Sequence, residues 1–331
     1  METQAETLSA LFRQIEHDLG TRDLNQLVFQ AFRDALRHVS INHFGSFIAQ
    51  FKELLLLLKS TQPRYALIIE HFYRLYRFMH EIEEQEKDVP WEAVQERIAQ
   101  HIRVIEHEDK EERKRLLENA RSLKVEGKTI LIFDHSHTVL DVLKKLKSDG
   151  QNFKIVIAEQ DIEKTEDIIE VLHKAKIPFH VVPSYMLSHI DDTIDLLFFG
   201  CVTFKSNNQF VMDPGSAAIV SQFHLLKKAI HLFMTTSKFS LWDVSVSTAV
   251  YIHKNIRRHT KKPIEFERHK FSHDRVGLEY FTSIVTELGI FTPANFKAVF
   301  DEKHEERMKW QSRLFQGEEA RLDTPDQGNH V

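Results

Sequence analysis

The chain has 331 residues, of which 42% are hydrophobic and 28% are charged, and its formal net charge is −5. This length accommodates two domains, and the acidic balance excludes a protein whose whole surface is built to bind nucleic acid, although a local basic surface is compatible with it. The chain contains only 10 glycines and 8 prolines. Their scarcity favours long helices over a turn-rich β sandwich.

The single cysteine and the first residues of the chain predict a cytoplasmic protein. Cys201 is the only cysteine, which excludes an internal disulfide and fits a reducing compartment. The N-terminal segment is acidic and amphipathic, and it lacks the basic and apolar regions of a signal peptide. The densest apolar run, Leu54 to Leu58, is far shorter than the roughly 18 residues of a membrane span. We therefore expect no membrane association.

Apolar residues recur at three- and four-residue spacing through the first part of the chain, which predicts helices. The apolar positions of the first helix are Leu8, Leu11, Phe12, Ile15 and Leu19. This helix is expected to end near Gly20. Further helices are predicted at about 22–39, 43–60, 63–87 and 91–122. We assign residues 1–122 to an N-terminal all-helical domain.

After Gly127 the pattern changes to short apolar runs that alternate with helical segments. Strands are predicted at 128–134, 153–159, 178–184, 195–201 and 231–237. Helices are predicted at 138–147, 163–175 and 215–229. Such alternation is typical of βαβ units in a parallel sheet, and right-handed crossovers make the sheet Rossmann-like. The predicted fold class is therefore α/β, with a Rossmann-like domain at 123–300 after the helical domain.

The last part of the chain predicts helices and a tail. Residues 276–293 read as a helix followed by a turn, and residues 301–313 as a charged helix. From Gln316 onward the sequence is polar, which is typical of disorder. We assign 301–331 to a charged helix and a disordered tail.

Seven segments between Leu123 and Pro293 resemble, in the same order, those of the translation initiation factor 2B alpha/beta/delta subunit family. They are LKVEGKTILIFDHSHTVLDVLKK, IVIAEQ, KIPFHVV, IDLLFFG, DPGSAA, TSKFS and TELGIFTP. The last of these, at residues 286–293, is the most specific single match. The family includes isomerases that act on methylthioribose-1-phosphate and ribose-1,5-bisphosphate.

The resemblance implies a non-catalytic regulatory or scaffold protein of translation initiation, which acts through protein-protein contacts and senses a phosphorylated ligand. It implies a cytoplasmic homodimer formed through the Rossmann-like domain, with a translation initiation factor or another protein as partner. Nucleotide exchange on initiation factor 2, and sensing of its phosphorylated alpha subunit, are the activities that the family suggests. The alternative is an enzyme related to the aldose–ketose phosphate isomerases, with a sugar phosphate or a nucleoside monophosphate as its ligand.

Two substitutions favour the non-catalytic interpretation. The isomerases use a cysteine after the first strand and an aspartate after the fourth, and these positions fall at Asp134 and Val202. Neither required group is present, so we predict no catalytic residues, and likewise no cofactor and no metal. Cys201, next to Val202, is interpreted as a small buried apolar side chain.

The candidate ligand-binding residues follow the predicted strands, where α/β sheets bind ligands. They are Asp134, His135, Ser136, His137, Glu159, Gly200, Gly215 and Ser216. The two histidines at 135 and 137 suggest a metal pair or an acid–base group, but a helix-capping cluster with Asp134 or Ser136 as the cap is the favoured interpretation.

The loop at 213–216 and a basic stretch leave two further alternatives open. The N–H groups of Gly215 and Ser216 suggest a phosphate cradle at a helix N-terminus. Met212 and Asp213 replace the asparagine and lysine that the isomerases have there, so Asp213 is interpreted instead as a helix cap. Residues 251–275 carry eight Lys and Arg against three acidic residues. This stretch indicates either a surface for an acidic partner or a solvated helix and loop.

Overall fold

Four long helices form the N-terminal part of the molecule. They are α1 (Gln4–His38), α2 (Phe44–Ser60), α3 (Ala66–Gln85) and α4 (Trp91–Ala120). Gly20 interrupts α1 with φ 79° and ψ 165°, a conformation that glycine adopts without steric cost. The predicted helices and the break at Gly20 are thus confirmed. The computed structural model describes residues 4–39, 44–61, 65–85, 90–133, 135–159, 162–241, 250–257, 264–271 and 273–314.

The helical core is aromatic and contains one polar network. Phe51 and Phe72 stack at 5.5 Å between ring centroids. The buried ring of His71 lies between two acceptors, with Nδ1 at 3.1 Å from Asn25 Oδ1 and Nε2 at 2.9 Å from Asp109 Oδ1. These partners belong to α1 and α4, so the network fixes three helices relative to one another.

The remaining elements alternate strands and helices. The strands are β1 (Thr129–Ile132), β2 (Lys154–Glu159), β3 (Phe179–Pro183), β4 (Leu196–Gly200), β5 (Thr203–Phe204), β6 (Gln209–Met212), β7 (Ala229–Phe233), β8 (Val250–Arg257), β9 (Ile264–Phe271), β10 (Asp274–Gly277), β11 (Ser283–Thr286) and β12 (Gly289–Phe291). The helices are α5 (His137–Ser148), α6 (Ile162–Lys174), α7 (Ser216–Leu225) and α8 (Pro293–Leu314).

Within the described residues, seven strands form one sheet in the order β12-β11-β7-β4-β1-β2-β3. All of its pairings are parallel except that of β11 with β12. Buried apolar residues line both faces of β1 and β4, as expected where helices cover both sides. The predicted α/β fold class, an all-helical part followed by a Rossmann-like sheet, is confirmed. The strand order reverses between β1 and β4, where such sheets bind ligands.

Two segments differ from the sequence prediction. The stretch 276–293, predicted as a helix and a turn, instead forms β10, a 3-10 turn, β11 and β12. Burial of Ile284 and Val285 beside β7 stabilises β11 as a strand, because packing outweighs local propensity. The basic stretch also contains strands, since β8 and β9 pair as an antiparallel hairpin.

Helix α8 extends from Pro293 to Leu314 and contains the predicted charged helix. Phe296 and Phe300 are buried in the core beneath the sheet, so the predicted domain boundary at 300 lies inside one continuous helix. The segment from Gln316, predicted as disordered, lies outside the described residues. No helix in the described part of the chain is long and apolar enough to cross a bilayer.

Candidate functional site

A small crevice lies where the carboxyl ends of the central strands face the N-terminal helices. Its cavity has a volume of about 80 Å³. His135, Cys201 and Thr235, which follow β1, β4 and β7, line the sheet side, and Glu16 and Asp109 line the helical side. Pockets that bind a drug-sized ligand usually measure about 300–1,000 Å³. The crevice as it stands therefore has room for an ion or a few water molecules.

The predicted cluster after β1 combines a helix cap with two partly buried imidazoles. Ser136 is the N-cap of α5, and its Oγ accepts from the Val139 N–H at 3.4 Å. The rings of His135 and His137 lie 4.8 Å apart and line the crevice. Burial lowers the pKa of both histidines, so both rings are neutral at neutral pH. The predicted cap at Ser136 is confirmed, whereas Asp134 lies outside the described residues.

Two further predicted residues lie near the sheet without lining the cavity. Gly200 ends β4, and a Cβ atom there would lie 2.1 Å from Ser136 Oγ. The glycine is therefore required for the close approach of the Ser136 side chain. Glu159 ends strand β2, on the other side of β1, and is partly exposed. Its assignment to a ligand stays a prediction.

The N-terminus of α7 already has an intramolecular acceptor. Asp274 Oδ2 accepts from the N–H groups of both Gly215 and Ala217 at 2.9 Å, and the Ser216 N–H donates to the Asp213 carbonyl oxygen at 3.1 Å. A phosphate at Gly215 and Ser216 would have to displace these acceptors. The interpretation of Asp213 as the side-chain cap of this helix is wrong, because Asp274 from β10 takes that role.

The Asp213 carboxylate instead faces the crevice and pairs with a cation. Lys164 Nζ, from α6, donates to its Oδ2 at 2.9 Å. The Lys164 ammonium is therefore neutralised by Asp213. The nearby Lys238 donates to the Cys201 carbonyl oxygen at 2.7 Å.

Glu16 and His273 complete the group around Asp213. One ligand-type atom of each of these three residues lies within 4.8 Å of the others. Burial, and then the Asp213 carboxylate, raise the pKa of Glu16 to about 7. Burial lowers the pKa of His273 to about 4. Glu16, Lys164 and His273 were missed in the sequence, because they are far apart along the chain and no short spacing marks them.

Of the two positions predicted to correspond to the isomerases' reacting groups, Asp134 lies outside the described residues and Val202 is apolar. Val202 is buried and lines the crevice at the predicted aspartate position. Cys201 is also buried, and its Sγ lies 3.6 Å from Met234 Sδ. This environment agrees with the prediction of a small buried apolar side chain.

The sequence profile of the Initiation factor 2 subunit family matches residues 20–293. The chain belongs to this family. The match begins at the break in α1 and ends at the first residue of α8, so it includes most residues that line the crevice but not Glu16. Among curated protein sequences, none matches the chain significantly.

Solved structures of family members share the fold. The translation initiation factor eIF-2B of Pyrococcus horikoshii OT3 has a TM-score of 0.68 and 17% identity, over 88% of this chain and 98% of that one. A chain of the tetrameric eIF2B-beta2-delta2 complex of C. thermophilum has a TM-score of 0.67 and 16% identity, over 91% of this chain and 94% of that one. The eIF2B delta structure from Chaetomium thermophilum has a TM-score of 0.63 and 14% identity, over 87% of this chain and 99% of that one. At such low identity these similarities establish the fold alone.

Proposed function

We propose that the protein is a non-catalytic regulatory or scaffold member of the Initiation factor 2 subunit family, acting in translation initiation through protein contacts in the cytoplasm. Its partner would be a translation initiation factor or a complex that contains one. The similar structures include an oligomeric eIF2B assembly, which supports a role in protein association. We also propose a homodimer.

The observation that carries this proposal is the chemistry of the crevice wall. The isomerases need a reactive carboxylate after the fourth strand, and this chain places the buried Val202 there. A valine side chain can neither transfer a proton nor stabilise charge on an opened sugar. The volume of about 80 Å³ also excludes a sugar bisphosphate unless the crevice opens.

The test combines a reaction and a partner assay on the full chain. Methylthioribose-1-phosphate and ribose-1,5-bisphosphate are incubated with the protein and followed by NMR, and we expect no ketose above the buffer blank. The tagged protein is also used to capture partners from a lysate of its own host, with subunits of initiation factor 2 or 2B expected to be enriched. Ketose formation, or the absence of any initiation factor among the captured proteins, would contradict the proposal.

We further propose that the crevice has little affinity for phosphorylated small molecules. Asp213 neutralises Lys164 there, and Asp274 occupies the α7 N-terminus. We therefore expect sugar phosphates and nucleoside monophosphates to bind weakly. Calorimetry on the unaltered protein and on Asp213→Lys tests this, since the substitution replaces a repulsive carboxylate with an attractive ammonium and should strengthen binding.

One observation favours an enzyme as the second candidate. Glu16 borders the crevice, and its pKa of about 7 suits a general acid or base at neutral pH. The family's isomerases act on sugar phosphates, so the same NMR assay addresses this candidate. Ketose formation that is abolished by Glu16→Gln, with an unchanged circular dichroism spectrum, would support it.

A further inference from the structure

We propose that Glu16, Asp213 and His273 form a binding site for a divalent transition-metal cation, with Zn²⁺ as the best-suited ion. The three residues come from α1, the loop before α7 and the position directly before β10. Their ligand-type atoms all lie within 4.8 Å of one another. This proposal does not depend on the proposed function in translation, because it follows from the side chains alone.

A buried histidine accompanies the two carboxylates of the cluster, and within the described part of the chain one of its ring nitrogens has no partner. Its side chain is 6% exposed, and its Nδ1 has no hydrogen-bond partner among the described residues. Its Nε2 lies 3.8 Å from Glu16 Oε2, which is too long for a hydrogen bond. A buried ring nitrogen without a hydrogen-bond partner costs free energy, and coordination of a cation by Nδ1, after rotation of the ring where needed, would remove that cost.

The ligand types select the class of cation. One imidazole and two carboxylates form a mixed nitrogen and oxygen set, which suits Zn²⁺ and related transition metals better than Ca²⁺ or Mg²⁺. Three protein ligands leave a fourth position for water or an anion in a tetrahedral site. The metal–ligand distances in such sites are about 2.0–2.2 Å, so side-chain rotations must draw the three atoms slightly closer together.

Two lysines face the cluster and compete with a bound cation. Lys164 donates to Asp213 Oδ2 at 2.9 Å, and the more distant Lys238 donates to the Cys201 carbonyl oxygen. A divalent cation that binds Asp213 must weaken the Lys164–Asp213 pair. The site therefore binds the cation less tightly than it would without the lysine. Removal of the Lys164 ammonium should therefore strengthen metal binding. If the cluster were only an ion pair that stabilises the fold, the same removal would lower the stability and would not strengthen metal binding.

The cation would join two parts of the molecule. Glu16 belongs to the N-terminal helices, whereas Asp213 and His273 belong to the sheet part of the chain. A ligand that binds only the folded arrangement stabilises it in proportion to its concentration and affinity. We therefore expect Zn²⁺ to raise the midpoint of thermal unfolding.

The experiment uses the full chain, freed of metal by a chelator and then titrated with buffered Zn²⁺. Binding is measured by competition with a chromogenic chelator, and Co²⁺ is used in parallel because its visible spectrum reports the ligand set. Glu16→Gln and Asp213→Asn preserve side-chain shape, so they serve if His273→Gln fails to fold. His269→Gln is the matched control, because His269 is exposed on strand β9, which precedes His273 in the chain.

We expect one Zn²⁺ per chain and a loss of affinity of at least about 100-fold in each of the three ligand variants, which is the upper end of the effect of removing an outer-shell partner. The His269 control should bind as the unaltered protein does, and Lys164→Met should bind more tightly. Equal binding by the unaltered chain and the ligand variants, or no stoichiometric binding, overturns the proposal. Weaker binding by Lys164→Met, in a variant that folds normally, also overturns it.

Discussion

Burial changes the chemistry of individual carboxyl groups in this protein. Glu112, on α4, has its pKa raised to about 7 by burial and by the Glu287 and Asp109 carboxylates, despite the opposing effects of Arg74 and Lys303. Between its unfolded value of 4.5 and about 7, the folded state holds a proton that the unfolded state releases. The free energy of unfolding therefore falls as the pH rises through this window.

Replacing Glu112 by Gln should remove this cost. We expect the free energy of unfolding to rise by about 1–2 kcal/mol at pH 8 and to change little at pH 4, because one pKa unit corresponds to ~1.4 kcal/mol. Urea denaturation at the two pH values measures the difference. Glu111→Gln, with its side chain 41% exposed on the same helix, is the control and should leave the pH dependence unchanged. A destabilised Glu112→Gln at pH 8 would contradict the prediction.

Gly200 shows how a single small residue positions the cap of α5. A Cβ atom at Gly200 would lie 2.1 Å from Ser136 Oγ and 2.8 Å from Ser136 Cβ, so Gly200→Ala must displace the backbone. We expect a loss of about 1–3 kcal/mol in the free energy of unfolding, as is usual for overpacking. The double variant with Ser136→Gly should recover part of this loss in a urea titration. Additive losses would show that the two residues are not in contact.

At the scale of single elements, α7 depends on a cap from a distant strand. Asp274 accepts from two N–H groups of this helix, those of Gly215 and Ala217. We expect Asp274→Ala to cost about 0.5–2 kcal/mol in the free energy of unfolding and to accelerate amide exchange at 215 and 217. Asp213→Ala is the control, since it removes the ion pair with Lys164 and leaves the cap in place. Equal exchange in the two variants would contradict the assignment of the cap.

The elements differ in how far the sequence determines them. Periodic apolar spacing predicts α2, α3 and α4 to within a few residues, because their buried faces repeat along the chain. Strand β11 was missed, because it obtains its stability from β7, about 50 residues away. A short amphipathic segment carries no mark of such a distant partner.

The sequence likewise predicts some residues of the candidate site and not others. The strand-end rule places His135, Ser136 and His137 at the crevice, and Ser136 is also predicted as a cap. Glu16 cannot be found by that rule, since it lies in α1, where a polar residue is the normal occupant of a solvated helix face. Only the packing of α1 against the sheet brings it to Asp213 and His273.

At the scale of the whole molecule, the helices and the sheet share contacts that shape the crevice. Arg22 of α1 pairs with Asp141 of α5 at 2.6 Å, and Asn119 of α4 donates to the Thr286 carbonyl oxygen at 2.9 Å. Val202 packs within the helical core. Arg22 and Val202 also line the crevice, so opening it for a larger ligand would disturb the Arg22–Asp141 pair and the packing of Val202.

The proposed homodimer needs an apolar surface, and the carboxyl end of α7 offers one. Leu225 is 79% exposed and Leu226 is 44% exposed. We place these two leucines inside the proposed interface, of which they are a small part, because stable dimers of this kind usually bury more than roughly 2,000 Å². Light scattering should give about twice the chain mass of 38.9 kDa.

Substitution of both leucines by glutamate should give a monomer, because each buried carboxylate would lose its hydration without gaining a partner. Leu27→Glu is the matched control, since Leu27 is 42% exposed on α1 and should not affect the mass. Circular dichroism shows whether each variant is folded. A monomeric unaltered chain at micromolar concentration contradicts the dimer itself. A dimer that survives the double substitution means that the two copies meet at another surface.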